Sequence, residues 1–456
     1  MFSKRIMASY GFGKFIAEFL TGAFGAIVFM FYETEVGLAA GYAATATVIY
    51  SLWNAFNDPI IGYATNTFAP FSKKFGRRFP WIVIGLVLCS LAFLLIFSVP
   101  TGWDAKANPL PVFLWMVLSI CLFDGLYSLW EVNYQSVYPD KFRTDKERTT
   151  TAAISTGIGV LGIASGFIIP PLFFQYGNRA SYATCALVIA LVGITCTLLV
   201  IPGVHETKEM INRFAKQQSD ESNESPSFFT QMKQGLKDHN LLAFVLFLFL
   251  YQSGCMCMTS SINYVVKYIL EAKSSQSTPI FAGMLVGALL SILIWTQVAK
   301  KMKNNQKMLV VCALCMAAFA LPLTFVSTQL GFIICMTLWG LGFGGFWTFM
   351  SPAMADVIDS IVVKQKRRDD GVLMGIRAFF MRFSYASQAV VFWLTHKLTG
   401  FNPESVTPLA KKGISLHMGA IPSAFFLLGV LVFVSLNKLT PEAIETNRKM
   451  LKQMDV

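Results

Sequence analysis

The residues of this sequence that can do chemistry are carboxylates and arginines set inside apolar runs. Asp124, Ser128, Glu131 and Gln135 recur at offsets of 0, 4, 7 and 11, which places them on one face of a helix. Thr47, Ser51, Asn54, Asp58, Gly62 and Thr65 make a second stripe, in which Asn54 lies one turn from Asp58 so that both can present oxygen to one point. Gln252, Thr259, Asn263 and Lys267 make a third. Lys14 and Glu18 stand at i and i+4, and Arg377 is in line with Ser384 and Gln388, with Arg382 nearby. A carboxylate in a low dielectric binds a cation, or raises its pKa and carries a proton. The chemistry offered is therefore ion binding beside two fixed positive charges. Each group also has a plain structural role open to it. Glu18 can simply pair with Lys14, Asp58 can cap a kink at Pro59, and Arg382 can neutralise a carboxylate. No His sits mid-span, His396 and His417 being near span ends, so a proton relay through histidine is not expected.

The elements that must position these groups follow from composition. The 456 residues are 55% hydrophobic and 14% charged, against about 25% charged in a soluble domain. The mean hydropathy is +0.56. A membrane-crossing helix needs about 20 apolar residues. Twelve such stretches can be read, at roughly 8–32, 39–66, 79–99, 109–138, 149–174, 180–202, 240–269, 279–299, 308–327, 330–359, 369–398 and 415–436. The runs are long and do not alternate, which argues against strands. The first stretch has no small-residue cleavage site before it and reads as a retained helix.

The net charge of +12 has the sign of a nucleic-acid binder, but its distribution says otherwise. Of the 37 Lys and Arg, 27 lie in the termini and in the loops after even-numbered spans. That bias is the positive-inside pattern with both termini cytoplasmic, so no nucleic-acid partner is implied. All nine Cys fall within spans, and neither Cys255-x-Cys257 nor Cys312-x-x-Cys315 has a His or carboxylate beside it to complete a metal site.

The polar segment 203–239 divides the chain into an N-terminal part, 1–202, and a C-terminal part, 240–456, with six spans each. The loops after spans 2 and 8, and after spans 4 and 10, resemble one another weakly. The expected fold class is an all-α membrane protein of twelve transmembrane helices in two pseudo-symmetric six-helix bundles, the layout of the major facilitator fold. Gly162-x-x-x-Gly166, Gly283-x-x-x-Gly287 and Gly371-x-x-x-Gly375 mark close helix contacts, which either slide or simply pack.

One stretch carries a resemblance. Asn57-Asp58-Pro59 with Gly62, followed by Gly76-Arg77-Arg78-x-Pro80-Trp81, is similar to the signature of the glycoside–pentoside–hexuronide:cation symporters, and the likeness runs over essentially the whole chain. It implies that Asp58 is the cation-site aspartate, that Glu131 stands where span 4 has an aspartate shared between cation and solute, and that the basic run is a cytoplasmic gating loop. It implies Glu18 as an acidic solute ligand, Trp347 as a stacking ring and Arg382 in place of a lysine. The chain departs from the pattern at four places. Asn54 replaces a second cation-site aspartate, Gln135 a stacking tryptophan, Thr156 a solute-binding arginine, and Arg377 a glutamine. The added arginine would suit an anionic solute such as a uronate.

The expectation is thus a multi-pass transporter of the plasma membrane, not an enzyme. It moves a sugar or sugar-acid-like solute together with Na⁺ or H⁺ by alternating access. The cation would be held by Asp58, Asn54 and Glu131, and the solute by Glu18, Gln135, Trp347, Arg377 and Arg382. No cofactor is called for beyond the coupling ion, and the partners are the solute, a monovalent cation and the lipid bilayer, with the chain working as a monomer. The lysophospholipid symporters share the Asp-Pro-x-x-Gly and Gly-Arg-x-x-Pro-Trp patterns, so an amphipathic or organic-anion solute is an alternative. An uncoupled facilitator of the same fold is another. The chain has no Gly-x-x-x-x-Gly-Lys-Ser/Thr motif for nucleotide, and a membrane enzyme or receptor finds no metal cluster or long external domain to support it.

Overall fold

A computed structural model describes residues 2–67, 72–217, 232–233, 235–302, 304–365 and 370–454. Nearly all of the regular structure is helical. The long helices are α1 (Lys4–Met30), α2 (Ala40–Thr67), α3 (Phe79–Ile96), α4 (Pro109–Lys141), α5 (Asp145–Ile168) and α6 (Arg179–Val204), then α7 (His239–Tyr264), α8 (Ser277–Met302), α9 (Asn305–Ala320) and α10 (Gln329–Gln365). They are followed by α11 (Asp370–Arg382), α12 (Ser384–Thr399), α13 (Pro408–Met418) and α14 (Ala420–Leu436).

Local chemistry places the ends. Ser3 caps α1, Asp238 caps α7 with bonds from Asn240 and Leu241, and Thr144 with Glu147 forms a capping box on α5. Gly400, at φ +65, closes α12 in the left-handed conformation. α1 and α7 each run on into a π-helical turn, Phe31–Glu35 and Val265–Ile269. This shared irregularity marks the first helix of each half.

Among the described residues, ten helical stretches are long and apolar enough to cross a membrane. Two of the twelve expected spans fall outside that set for identifiable reasons. α2 is long enough, at 28 residues, but its polar stripe dilutes its hydropathy. The eleventh span is two shorter helices, α11 and α12, joined at Phe383. The twelfth begins earlier than 415, at Pro408, and is interrupted at Gly419, where a Cβ would meet the backbone N of Thr324 at 2.5 Å. The linker 203–239 is not wholly irregular, since Lys208–Gln217 is helical.

The burial pattern is that of a membrane protein turned toward its own polar groups. Leu118, Leu293 and Leu398 are at least two-thirds exposed, while Ser51, Ser128, Asn57 and Asp124 are buried. In water the reverse would hold. In hydrocarbon, backbone and side-chain polar groups must find partners inside the protein.

The chain separates into two compact units, residues 1–224 with 273–278, and residues 225–272 with 279–456. In the first, α1 packs on α5 and α6, α2 on α4, and α3 on α4 and α6. Its α1–α5 contact is backbone to backbone: a Cβ on Gly162 would lie 2.4 Å from the Phe15 carbonyl oxygen, and one on Gly166 would lie 2.7 Å from that of Phe19. In the second unit, α7 packs on α11, α12 and α14, and α9 on α10 and α14. There Gly287 meets the Thr337 carbonyl of α10 in the same way, leaving 2.0 Å between that oxygen and the place a Cβ would take. The Gly-x-x-x-Gly faces of α5 and α8 are therefore close packing surfaces within their own units.

Candidate ion site on helices α2 and α4

Three polar contacts set α2 against α4 in parallel register. Asn54 and Asn57 each donate a side-chain N–H to Asp124, to Oδ1 and Oδ2 respectively, both at 2.5 Å. Ser128 donates to Asn57 Oδ1 at 3.1 Å, and Asn54 also reaches the Tyr50 hydroxyl at 3.1 Å. One step to either side, Trp53 lies over Gly125 and Val132 over Gly62, each at 3.6 Å from the position of an added Cβ. Residue n of α2 thus faces about residue n + 70 of α4.

This register decides which α4 carboxylate joins the α2 stripe. Asp124 is 2% exposed, Asn54 5% and Asn57 1%, so the cluster is dry. Asp124 spends both oxygens on amide donors. Asn57 has both its ends engaged, but Asn54 Oδ1 is buried and meets no donor. A buried oxygen in that state costs about 1–3 kcal/mol. Asp58 is half-buried one turn beyond Asn54 and immediately before Pro59, whose ring removes one helical N–H. The oxygens of Asp124, Asn54, Asn57, Ser128 and Tyr50 make a hard donor set, with Asp58 one turn beyond Asn54 on α2. Sets of that kind hold Na⁺-like cations through oxygen, or a proton on the carboxylate.

The remaining candidates occupy other places. Glu131 lies near the Val132 level, half-buried, and takes a hydrogen bond from Gln135 of its own helix. Gln135 itself is exposed. Glu18 pairs with Lys14 at 2.6 Å, and the Lys14 stem rests on Gly159 of α5. In the second unit, Trp347 is 44% exposed on α10 and follows Trp339 and Phe343 in a run of ring contacts. Arg377 and Arg382 lie on α11, and the Arg377 Nε is buried without an acceptor. The α12 register is set by Ser387, which donates to Ser253 of α7 at 2.6 Å. Gln388 and Ser384 beside it bury polar atoms that find no partner.

Sequence reasoning gave the cation to Asp58, Asn54 and Glu131, and the side chains that hydrogen-bond Asn54 and Asn57 across the helices belong to Asp124 and Ser128. Asn57 carried a signal in the Asn-Asp-Pro motif. Glu206 was also missed, and only tertiary contact reveals it. Its carboxylate accepts the backbone N–H groups of Arg77 at 2.7 Å and Arg78 at 2.8 Å. Gly76, at φ +92, has no room for a Cβ, which would lie 1.8 Å from Glu206 Oε2. The Arg78 side chain reaches Asp140 at 3.5 Å, and Lys141 donates to the carbonyls of Pro202 and His205. Burial and the neighbouring Arg77 push the Arg78 guanidinium below its ordinary pKa, against the pull of Asp140 and Glu206. The basic loop is thus tied down to the ends of α4 and α6 within its own unit.

Comparison with known proteins supplies the wider frame. The family described as MFS/sugar transport protein matches residues 9–438. The sodium-dependent lysophosphatidylcholine symporter 1 of Gallus gallus is 22% identical over 452 residues, covering 91% of this chain and 82% of that protein. The lactose permease of Lactobacillus delbrueckii subsp. bulgaricus is 23% identical and covers 84% and 61%. The isoprimeverose transporter of Lactiplantibacillus pentosus is 22% identical and covers 96% and 89%. Among solved structures, the nucleoside transporter NupG superposes with a TM-score of 0.62 over 95% of this chain and 100% of that one, at 12% identity. That likeness is one of fold.

Proposed function

Since this chain belongs to the MFS/sugar transport protein family of multi-pass membrane transporters, we propose that it is a cation-coupled symporter of a sugar or sugar-acid-like solute. The observation that carries the coupling is the α2–α4 cluster, in which two amides hold Asp124 and leave Asn54 Oδ1 without a donor. A bound Na⁺ supplies what that oxygen lacks, and a proton on Asp58 or Asp124 is the other way to neutralise the site. The cation site accordingly comprises Asp124, Asn54 and Asn57 with Asp58, and Glu131 is its neighbour one to two turns along α4. Solute recognition falls to Glu18, Gln135, Trp347, Arg377 and Arg382.

Ion occupancy can drive transport only if the ion binds the inward and outward states with different affinity. The protein acts in the plasma membrane, with both termini cytoplasmic as the basic loops indicate, and works as a monomer. A lysolipid is the second solute class, supported by the likeness to the lysophosphatidylcholine symporter over 91% of this chain.

The test is uptake by proteoliposomes of the purified protein, with sugars, uronates and lysolipids offered in turn under imposed Na⁺ or H⁺ gradients. Gradient-driven accumulation of one class that Asp124→Asn abolishes supports the reading. Counterflow that persists with both gradients collapsed and shows no cation stimulation would replace it with a facilitator.

A further inference from the structure

The second unit buries two histidines against each other. His396 at the end of α12 and His417 on α13 are 2% and 0% exposed. Their Nε2 atoms face one another at 3.4 Å. The far nitrogen of His417, Nδ1, lies 2.6 Å from Ser261 Oγ of α7, and Ser261 in turn bonds to the Cys257 carbonyl one turn back. The rings of Tyr264, Phe392 and Phe401 close the site, with Tyr264 centred 5.4 Å from His396 and 5.8 Å from His417.

Other charged groups on the surrounding elements turn elsewhere. Lys267 lies over the Tyr268 ring, Lys397 over Trp393, and Lys411 pairs with Glu271. Lys412 is exposed. The ionisable group that bears on His417 is His396.

Hydrogen-bond arithmetic limits this pair. The Nε2–Nε2 contact needs one N–H and one lone pair, so protons can point along the row in either direction but only one direction at a time. A single added proton gives an imidazolium donating to an imidazole, which the geometry accepts. A second added proton sets two N–H groups nose to nose across the contact, whatever the outer nitrogens bond to. We infer that His396 and His417 form a proton-binding site that takes at most one proton while α7, α12 and α13 remain packed, making this end of the unit acid-sensitive independently of the coupling ion.

The sign follows from linkage. In the unfolded chain both imidazoles charge near the ordinary histidine pKa of about 6.5. The folded pair is then at least one proton short. Stability is therefore complete above that range and falls as pH drops through it, with the unfolding constant rising about tenfold per pH unit for each missing proton.

The experiment is thermal unfolding of the full-length purified protein between pH 8 and pH 5. Wild type should lose melting temperature across pH 7 to 5.5. His396→Gln should make that fall shallower, because a glutamine can turn over and offer its oxygen to a charged His417, so that the contact no longer refuses a proton and only burial opposes it. His239→Gln, an exposed position, should follow wild type. Equal pH profiles for wild type and His396→Gln would overturn the inference. If His396→Gln does not fold, ¹⁵N-histidine spectra of the wild type decide. The pair should retain at least one neutral ring to pH 5.5, and two imidazolium rings at 396 and 417 in the folded protein at that pH would sink the idea.

Discussion

Asn54 gives its side-chain N–H to Asp124 at 2.5 Å and leaves its own carbonyl oxygen buried with no donor. An amide turned this way solves the problem of the carboxylate and creates one for itself. On the proposed reading, the amide donors offset part of the carboxylate charge and the unmet acceptor is what a cation would use.

Asp124→Asn should therefore reduce cation-stimulated uptake by about tenfold or more, the loss of one charge-assisted contact of ~1.4 kcal/mol or above. Glu131→Gln should leave cation stimulation within about threefold, since it alters a group about two turns along α4 from the cluster of Asp124 with Asn54 and Asn57. Initial rates at saturating solute, with and without Na⁺ at two pH values, separate the two. Equal losses in both variants would move the ion site along α4 toward Glu131.

The α1–α5 seam makes a contrast between two glycines of one helix. Gly162→Ala drives a methyl to 2.4 Å from the Phe15 carbonyl and should cost about 1–3 kcal/mol. Gly157→Ala meets nothing within 4 Å and should be neutral, or stabilise by about 0.4–1 kcal/mol. Thermal melts of the two variants in the same detergent check the ordering.

Gly76→Ala should destabilise the loop by about 1–2 kcal/mol for its left-handed backbone alone, plus the clash with the Glu206 carboxylate. Glu206→Ala removes the carboxylate clash and leaves only the Cβ contact at 2.8 Å, but it strands the N–H groups of Arg77 and Arg78. In a double-mutant cycle Gly76→Ala should therefore cost less in the Glu206→Ala background. Additive effects would show that the carboxylate does not shape the turn.

Just past the seventh span, the Glu271 carboxyl is held below its ordinary pKa by a 2.6 Å hydrogen bond from Lys411 and by that lysine's charge. A depressed acid pKa stabilises above the ordinary carboxylate range and ceases to as pH falls through the folded value. Wild type and Glu271→Gln should thus differ slightly near neutral pH and converge in acid, more so at low salt because the pair is exposed. Glu271 also sits at φ +51, so Glu271→Gly should recover part of the loss. Melting curves at pH 7 and pH 3.5 test both statements.

The membrane class and the helical fold were legible in residue order, because length and apolarity of a run are local properties and a bilayer converts them directly into spans. So were the polar stripes, since a helix repeats every 3.6 residues wherever it packs. A stripe does not say which of its members is used. Asp124 and Glu131 share a face yet stand about 10 Å apart along α4. Only the seam with α2, set by Trp53 over Gly125 and Val132 over Gly62, brings Asp124 to the two asparagines. Glu206 lies more than a hundred residues from the loop it ties, and His396 and His417 face each other across a chain reversal after Gly400. Those relations depend on where separate helices meet. That is decided by close packing of whole faces, a property no single stretch of sequence contains.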